Sequence, residues 1–154
     1  MKLSEILHED SIIPELKAKD KKSVLSELAE RVCARDPVID KSTLVKVLLE
    51  REKLGSTGIG DGVAIPHGKL GGVSQPMISC GRSLEGVDFD AMDGQPAHLF
   101  FLLLAPEDSS SIHLQVLARL AKILKTSAFR KRLMQASNQQ EIYRAIVQTD
   151  EESS

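Results

Sequence analysis

Residues 99–105 read Leu-Phe-Phe-Leu-Leu-Leu-Ala without one polar side chain, and Pro106 follows directly. The run is far too short to span a bilayer but has the length of a strand. Successive strand side chains point to opposite faces, so an unbroken apolar strand needs cover above and below. The run is therefore expected at the centre of a sheet with helices on both sides.

The flanking sequence supplies those layers. Residues 1–8 allow one short helical turn, and Ile12-Ile13-Pro14 within 11–16 reads as an extended edge segment. Apolar residues at helical spacing predict a helix over 21–34, with Asp20 as N-cap and Asp36-Pro37 as its stop, and a second from Lys41, capped by Asp40, to Gly55. Residues 63–66 and 77–83 read as short strands, 88–95 as turns around Asp93-Gly94, and 112–124, 128–136 and 139–147 as helices. Strict βαβ alternation is absent, and so is a separation into α and β halves. The pattern fits a single α/β domain with a central mixed sheet flanked by helices.

A length of 154 residues suits one core without disulfides or metal. The formal charge of -2 argues against a nucleic-acid partner, which calls for a basic face. The first ten residues carry Glu5, His8, Glu9 and Asp10 where a signal peptide needs an apolar stretch, so a cytoplasmic, non-membrane chain is expected. Cys33 and Cys80 lack CxxC or metal-finger spacing and read as reduced structural thiols.

Chemistry is expected at His67, presented between Pro66 and Gly68 at the end of a glycine-rich stretch taken as flexible. Gly68 is expected to allow a sharp turn and a close approach to the ring. That stretch is not a nucleotide loop. From Gly55 the spacing reaches Gly60 as in a P-loop, but Asp61-Gly62 stands where Lys and Ser/Thr are required; Gly58, Gly60 and Gly62 give GxGxG, not GxGxxG.

Arg51 lies seven residues after Leu44, four after Val47 and three after Leu48, so it continues an apolar helical stripe toward the loop. There it is placed to hold an anion, although an arginine snorkelling at a helix C-terminus fits the same spacing. Glu52 and Lys53 read as solvated surface. His113 begins another stripe, four, seven and eleven residues before Leu117, Leu120 and Leu124. At a helix N-terminus its ring would stay neutral and donate a hydrogen bond, while a satisfied core histidine is the plainer alternative. His8 and His98 lack a supporting pattern and read as structural. Two histidines and an arginine suit phosphate better than a metal, because guanidinium repels cations.

Residues 51–69, Arg-Glu-Lys-Leu-Gly-Ser-Thr-Gly-Ile-Gly-Asp-Gly-Val-Ala-Ile-Pro-His-Gly-Lys, closely resemble the active-site segment of the mannitol/fructose-type enzyme IIA family of the bacterial phosphotransferase system. Residues 112–117, Ile-His-Leu-Gln-Val-Leu, resemble its second histidine segment. The resemblance implies the mannitol-type IIA fold over 1–148; residues 149–154, acidic and polar with nothing to pack, are expected to form a mobile tail. It implies His67 as the phosphoryl acceptor, Arg51 as the phosphate-stabilising group and His113 as hydrogen-bond support. Ser56, Thr57, Gly58 and Gly60 are secondary candidates for the phosphate pocket. It implies no metal and no cofactor.

The donor implied is a histidine-containing phosphocarrier protein, HPr or a nitrogen-branch homologue, charged from phosphoenolpyruvate through enzyme I. Gly-Ser-Thr-Gly-Ile-Gly in a single-domain chain resembles most the nitrogen-regulatory branch, IIA-Ntr, whose output goes to regulatory protein targets. A separate fructose- or mannitol-specific IIA passing phosphate to a IIB domain is an alternative. A non-catalytic binding module on the same scaffold would be expected to lack one of Arg51, His67 and His113, and a hydrolase would need an acidic residue placed to activate water.

Overall fold

The computed structural model describes residues 1–153. After a 3-10 turn at Leu3–Glu5 the elements are β1 (Leu7–Ile13), α1 (Lys21–Arg35), α2 (Lys41–Lys53), β2 (Gly58–Gly60), β3 (Val63–Ala64), β4 (His67–Leu70), β5 (Met77–Val87), β6 (Ala97–Pro106), α3 (Ser110–Leu124), α4 (Ser127–Gln135) and α5 (Gln139–Glu152). Asp20 and Asp40 cap α1 and α2 as expected, accepting from the Ser23 and Thr43 amides. No helix among the described residues is long and apolar enough to cross a membrane.

The sheet is mixed and six-stranded, ordered β1-β5-β6-β3-β2, with β4 also on β6. β6 lies antiparallel to β5 and parallel to β3 and β4. Its alternation divides the core. Leu99, Phe101 and Leu103 pack with residues of α3, α4 and α5, whereas Phe100, Leu102 and Leu104 pack with those of α1 and α2. The unbroken apolar run is thus a strand covered on both faces.

β3 and β4 run along the same edge of β6, pairing with Leu99–Phe100 and Leu103–Pro106 respectively. Between them, Pro66 has no N–H to give. The chain nevertheless stays fastened, because the Pro66 carbonyl accepts from the Leu103 amide at 2.9 Å. His67 therefore stands on a strand at the sheet's edge and not in a loop. Gly68 makes no turn: a Cβ there would lie 2.9 Å from Val47 Cγ1, so glycine serves to let α2 approach β4. The glycine-rich stretch is itself built into the sheet as the β2–β3 hairpin, whose turn takes positive φ at Gly60, Asp61 and Gly62.

Other boundaries also move. Residues 6–8 leave the predicted first turn because Leu7 already pairs with Ile78, which puts His8, exposed, in β1. The acidic stretch from Thr149 does not hang free: α5 continues to Glu152, and Asp150 is only 1% exposed. Its carboxylate accepts from the Leu3 amide at 2.8 Å and from Arg119 Nε, tying the last helix to the N-terminus and α3. Composition hides this, since one acidic residue of that stretch faces inward and has charged company. Ser154 lies outside the described residues.

Asp150→Ala removes that acceptor from a buried setting. It is expected to lower the unfolding free energy by about 2–3 kcal/mol, the usual cost of hydrogen bonds to a charged group. Thermal unfolding should show a midpoint about 5–10 °C lower. An unchanged midpoint would mean that the α5 anchor contributes little.

Candidate active site

α2, β4 and the first turn of α3 converge on an open cavity of about 460 Å³ lined by Val47, Glu50, Arg51, Leu54, His67, Gly68, Lys69 and His113. The three residues predicted from spacing and resemblance are thus brought together. Arg51 Nε donates to His67 Nε2 at 3.3 Å, and its Nη1 donates to the Gly55 carbonyl at 2.8 Å. The rings of His67 and His113 lie edge to face, with centroids 5.3 Å apart and planes at 63°.

These contacts set the tautomer of His67. A guanidinium only donates, so Nε2 must offer a lone pair; a carbonyl only accepts, so Nδ1, 2.7 Å from the Ile65 oxygen, must carry the proton. Two independent partners demand the same neutral form. The result is a ring with its proton held against the backbone and its one lone pair held by Arg51, with both residues lining the cavity.

Electrostatics agree with that assignment. Burial, and secondarily the Arg51 charge, hold the His67 pKa below the usual histidine value, against the hydrogen bond to Ile65. His113 is buried in the first turn of α3, and its pKa is depressed to about 4, chiefly by burial and then by His67 and Lys69. The neutral ring expected at the helix start therefore owes its state mainly to desolvation. Its Nδ1 is buried without a hydrogen-bond partner among the described residues, so a satisfied core histidine does not describe it.

The sign of the pH dependence follows. Between pH 6.5 and about 4 the unfolded chain protonates its residue 113 while the folded chain does not, so this contribution is full above pH 6.5 and is lost on acidification through that window. Its size is at most about 3 kcal/mol, reduced by solvent screening at the open cavity. His113→Gln is expected to flatten the fall in stability between pH 6.5 and 4 measured by denaturant unfolding; an identical pH slope would rule this out.

The secondary candidates have other employment. Ser56 Oγ donates to the Phe89 carbonyl and accepts from the Gly58 amide. Thr57 is buried and bonds Glu52, and a Cβ on Gly58 or Gly60 would meet Ala91 or Asp93. None of the four lines the cavity around His67. Glu52 departs from its expected surface position: it continues the buried stripe Leu44–Leu48–Glu52, while Arg51 stands on the flank with Val47, facing His67. His98 is structural as expected, with Nδ1 2.9 Å from the Ser83 carbonyl.

Lys69 is a cavity residue that spacing arguments missed, as are Glu50 and Leu54. It lies two residues beyond His67 on β4 and therefore on the same face, with Nζ donating to Ser110 Oγ at 2.7 Å. Ending the predicted strand at residue 66 concealed it. Among the described residues, no group of three or more His, Cys, Asp or Glu side chains is gathered to hold a metal ion.

Comparison with known proteins agrees with the architecture. Residues 5–149 match the family described as phosphoenolpyruvate-dependent sugar phosphotransferase system, EIIA 2. The chain belongs to that family. The EIIA chain is 40% identical over 146 residues to a nitrogen regulatory protein of Bradyrhizobium diazoefficiens, covering 95% of each. It is 38% identical over 150 residues to the fructose-specific EIIABC component of Bacillus subtilis, but spans only 24% of that relative's length. The crystal structure of the nitrogen regulatory protein IIA-Ntr from Neisseria meningitidis superposes with a TM-score of 0.88 at 38% identity, covering 94% of this chain and 98% of that one. The mannitol IIA of Escherichia coli shares the fold, with a TM-score of 0.75 at 23% identity over 90% of this chain and 97% of that one. The EIIA chain thus has the mannitol-type IIA fold.

Proposed function

We propose that His67 Nε2 accepts a phosphoryl group from the phosphohistidine of a histidine-containing phosphocarrier protein, HPr or its nitrogen-branch homologue, in the cytoplasm. The observation that carries this is the paired contact of the ring, Nδ1 on the Ile65 carbonyl and Nε2 on Arg51, which makes Nε2 the nucleophilic nitrogen once Arg51 turns to the incoming phosphoryl group; both residues line the open cavity. In the transfer a bond forms from Nε2 to phosphorus as the donor's phosphorus–nitrogen bond breaks, and the donor nitrogen keeps that electron pair. His67 becomes an N-phosphoimidazolium with its Nδ1 proton still on Ile65. Such a positive ring is a ready leaving group, so the phosphoryl group can move on.

Charge develops on the equatorial oxygens between the two nitrogens, and positioning with positive dipoles does most of the work there. Arg51 exchanges its bond to Nε2 for one to a phosphoryl oxygen, the neutral His113 ring donates to another, and Lys69 supplies a second cation beside the group. Val47 and Leu54 form apolar walls that limit water. Leu54 at 84% exposure and Leu114 at 64% offer apolar surface beside the histidines against which a protein donor can dock.

The output is read as regulatory and nitrogen-related. In support, the Bradyrhizobium relative that matches end to end is named a nitrogen regulatory protein. A sugar-specific reading is favoured by the fructose-specific relative, in which case the group passes to a IIB domain. Incubation with phosphoenolpyruvate, enzyme I and the phosphocarrier is expected to add one acid-labile phosphoryl group per chain; no gain contradicts the proposal. Mixing the phosphorylated chain with a fructose-type IIB protein then separates the branches, since rapid loss of label marks the sugar-specific one.

A further inference from the structure

Glu52 is a buried carboxylate for which the transfer just described has no use. It sits at the C-terminal end of α2, next to Arg51, and its Oε1 accepts from the Thr57 amide at 3.2 Å and from Lys21 Nζ at 3.0 Å. Its Oε2 accepts from the Thr57 hydroxyl. Thr57 is thereby held at both its amide and its side chain, just before β2.

What Thr57 holds in turn is the residue that orients the catalytic ring. The Thr57 carbonyl accepts from the Ile65 amide at 3.0 Å, and the Ile65 carbonyl accepts from His67 Nδ1 at 2.7 Å. Between those two bonds the backbone has little freedom, because the residue before a proline is confined to extended conformations. The Ile65–Pro66 peptide has no N–H of its own by which to be fastened. Its direction depends on its neighbours: the Ile65 amide on Thr57 to one side, and the Pro66 carbonyl on the Leu103 amide at 2.9 Å to the other.

We infer that Glu52 and Thr57 are positioning residues for the phosphoryl acceptor, acting through the Ile65 carbonyl to keep the His67 proton on Nδ1 and the lone pair on Nε2. The inference rests on the proposed role of His67. It assigns the buried carboxylate of α2 to aiming a ring on β4, with Lys21 at the start of α1 as the counter-charge.

Thr57→Val keeps the shape and removes only the hydroxyl, and Thr57→Ser restores it. The test combines two readouts on chains shown to be folded by their amide spectra: the imidazole nitrogen and proton resonances of His67 without phosphate, and the single-turnover rate of phosphorylation. Thr57→Val is expected to lose the protected Nδ1–H signal and to slow phosphorylation roughly tenfold to a hundredfold, the range for a misaimed reacting group. Thr57→Ser should recover both. Should Thr57→Val not fold, Glu52→Gln, which keeps the volume and weakens the acceptor, is expected to shift the same resonances and slow transfer severalfold. A folded variant with the parent's Nδ1–H signal and rate overturns the inference. The imidazole spectrum is read without phosphate, so this failure is distinct from phosphorylation of a His67→Ala chain, which would defeat the role of His67 itself.

Discussion

A His67→Ala chain is expected to take up no phosphoryl group from the charged phosphocarrier, while folding as the parent does. The ring is half-buried at the edge of the sheet, where β4 pairs with β6 through backbone bonds that alanine preserves. Little core volume is lost, and the Ile65 carbonyl loses one hydrogen bond, a cost of about 1 kcal/mol. Chemistry, by contrast, loses its only correctly aimed lone pair. His113 cannot substitute: it is buried, and the Nε2 of His67 is the one that Arg51 meets. Labelling at the parent level in folded His67→Ala would place the acceptor elsewhere.

Arg51→Ala should slow transfer by about a hundredfold to a thousandfold, the range for removing one well-aimed donor to developing charge. The guanidinium has few structural duties. It bonds the Gly55 carbonyl at 2.8 Å, in a region where α2 is ending, while the buried stripe of that helix consists of Leu44, Leu48 and Glu52. Unfolding free energy should therefore change by less than about 1 kcal/mol. Single-turnover phosphorylation beside a denaturant titration separates the two effects. A folded variant with the parent's rate would remove Arg51 from the reaction. Arg51→Lys is expected to recover only part of the rate, because a point charge lacks the directed Nε–H that meets Nε2.

Much of this site was legible because helical spacing survives single-sequence reading. Leu44, Leu48 and Arg51 mark a helix, and the stripe from His113 to Leu124 marks another, so spacing singles out both Arg51 and His113. The apolar run at 99–105 likewise announced a central strand, since nothing but cover on both faces makes such a run tolerable.

The misreadings have a common physical origin. Helical spacing does not tell adjacent positions apart to better than one residue, so Arg51 was put on the buried stripe that Glu52 occupies. Glu52 reads as surface because a carboxylate on a helix is usually solvated, and its partners Thr57 and Lys21 come from other segments of the chain. Gly68 suggested a turn, although its smallness is needed for the approach of Val47, a tertiary contact that no local pattern reports. The same missed strand β4 hid Lys69. Asp150 looked like tail because its acceptor role depends on Leu3, at the far end of the chain.

One atom, Nε2 of His67, is proposed to carry the phosphoryl group. Its most direct test is the imidazole nitrogen spectrum of the chain after phosphorylation by phosphoenolpyruvate, enzyme I and the phosphocarrier. Phosphorus is expected to be coupled to Nε2 of His67, with the proton retained on Nδ1 against the Ile65 carbonyl. Phosphorus on Nδ1, or on any other histidine, would contradict it.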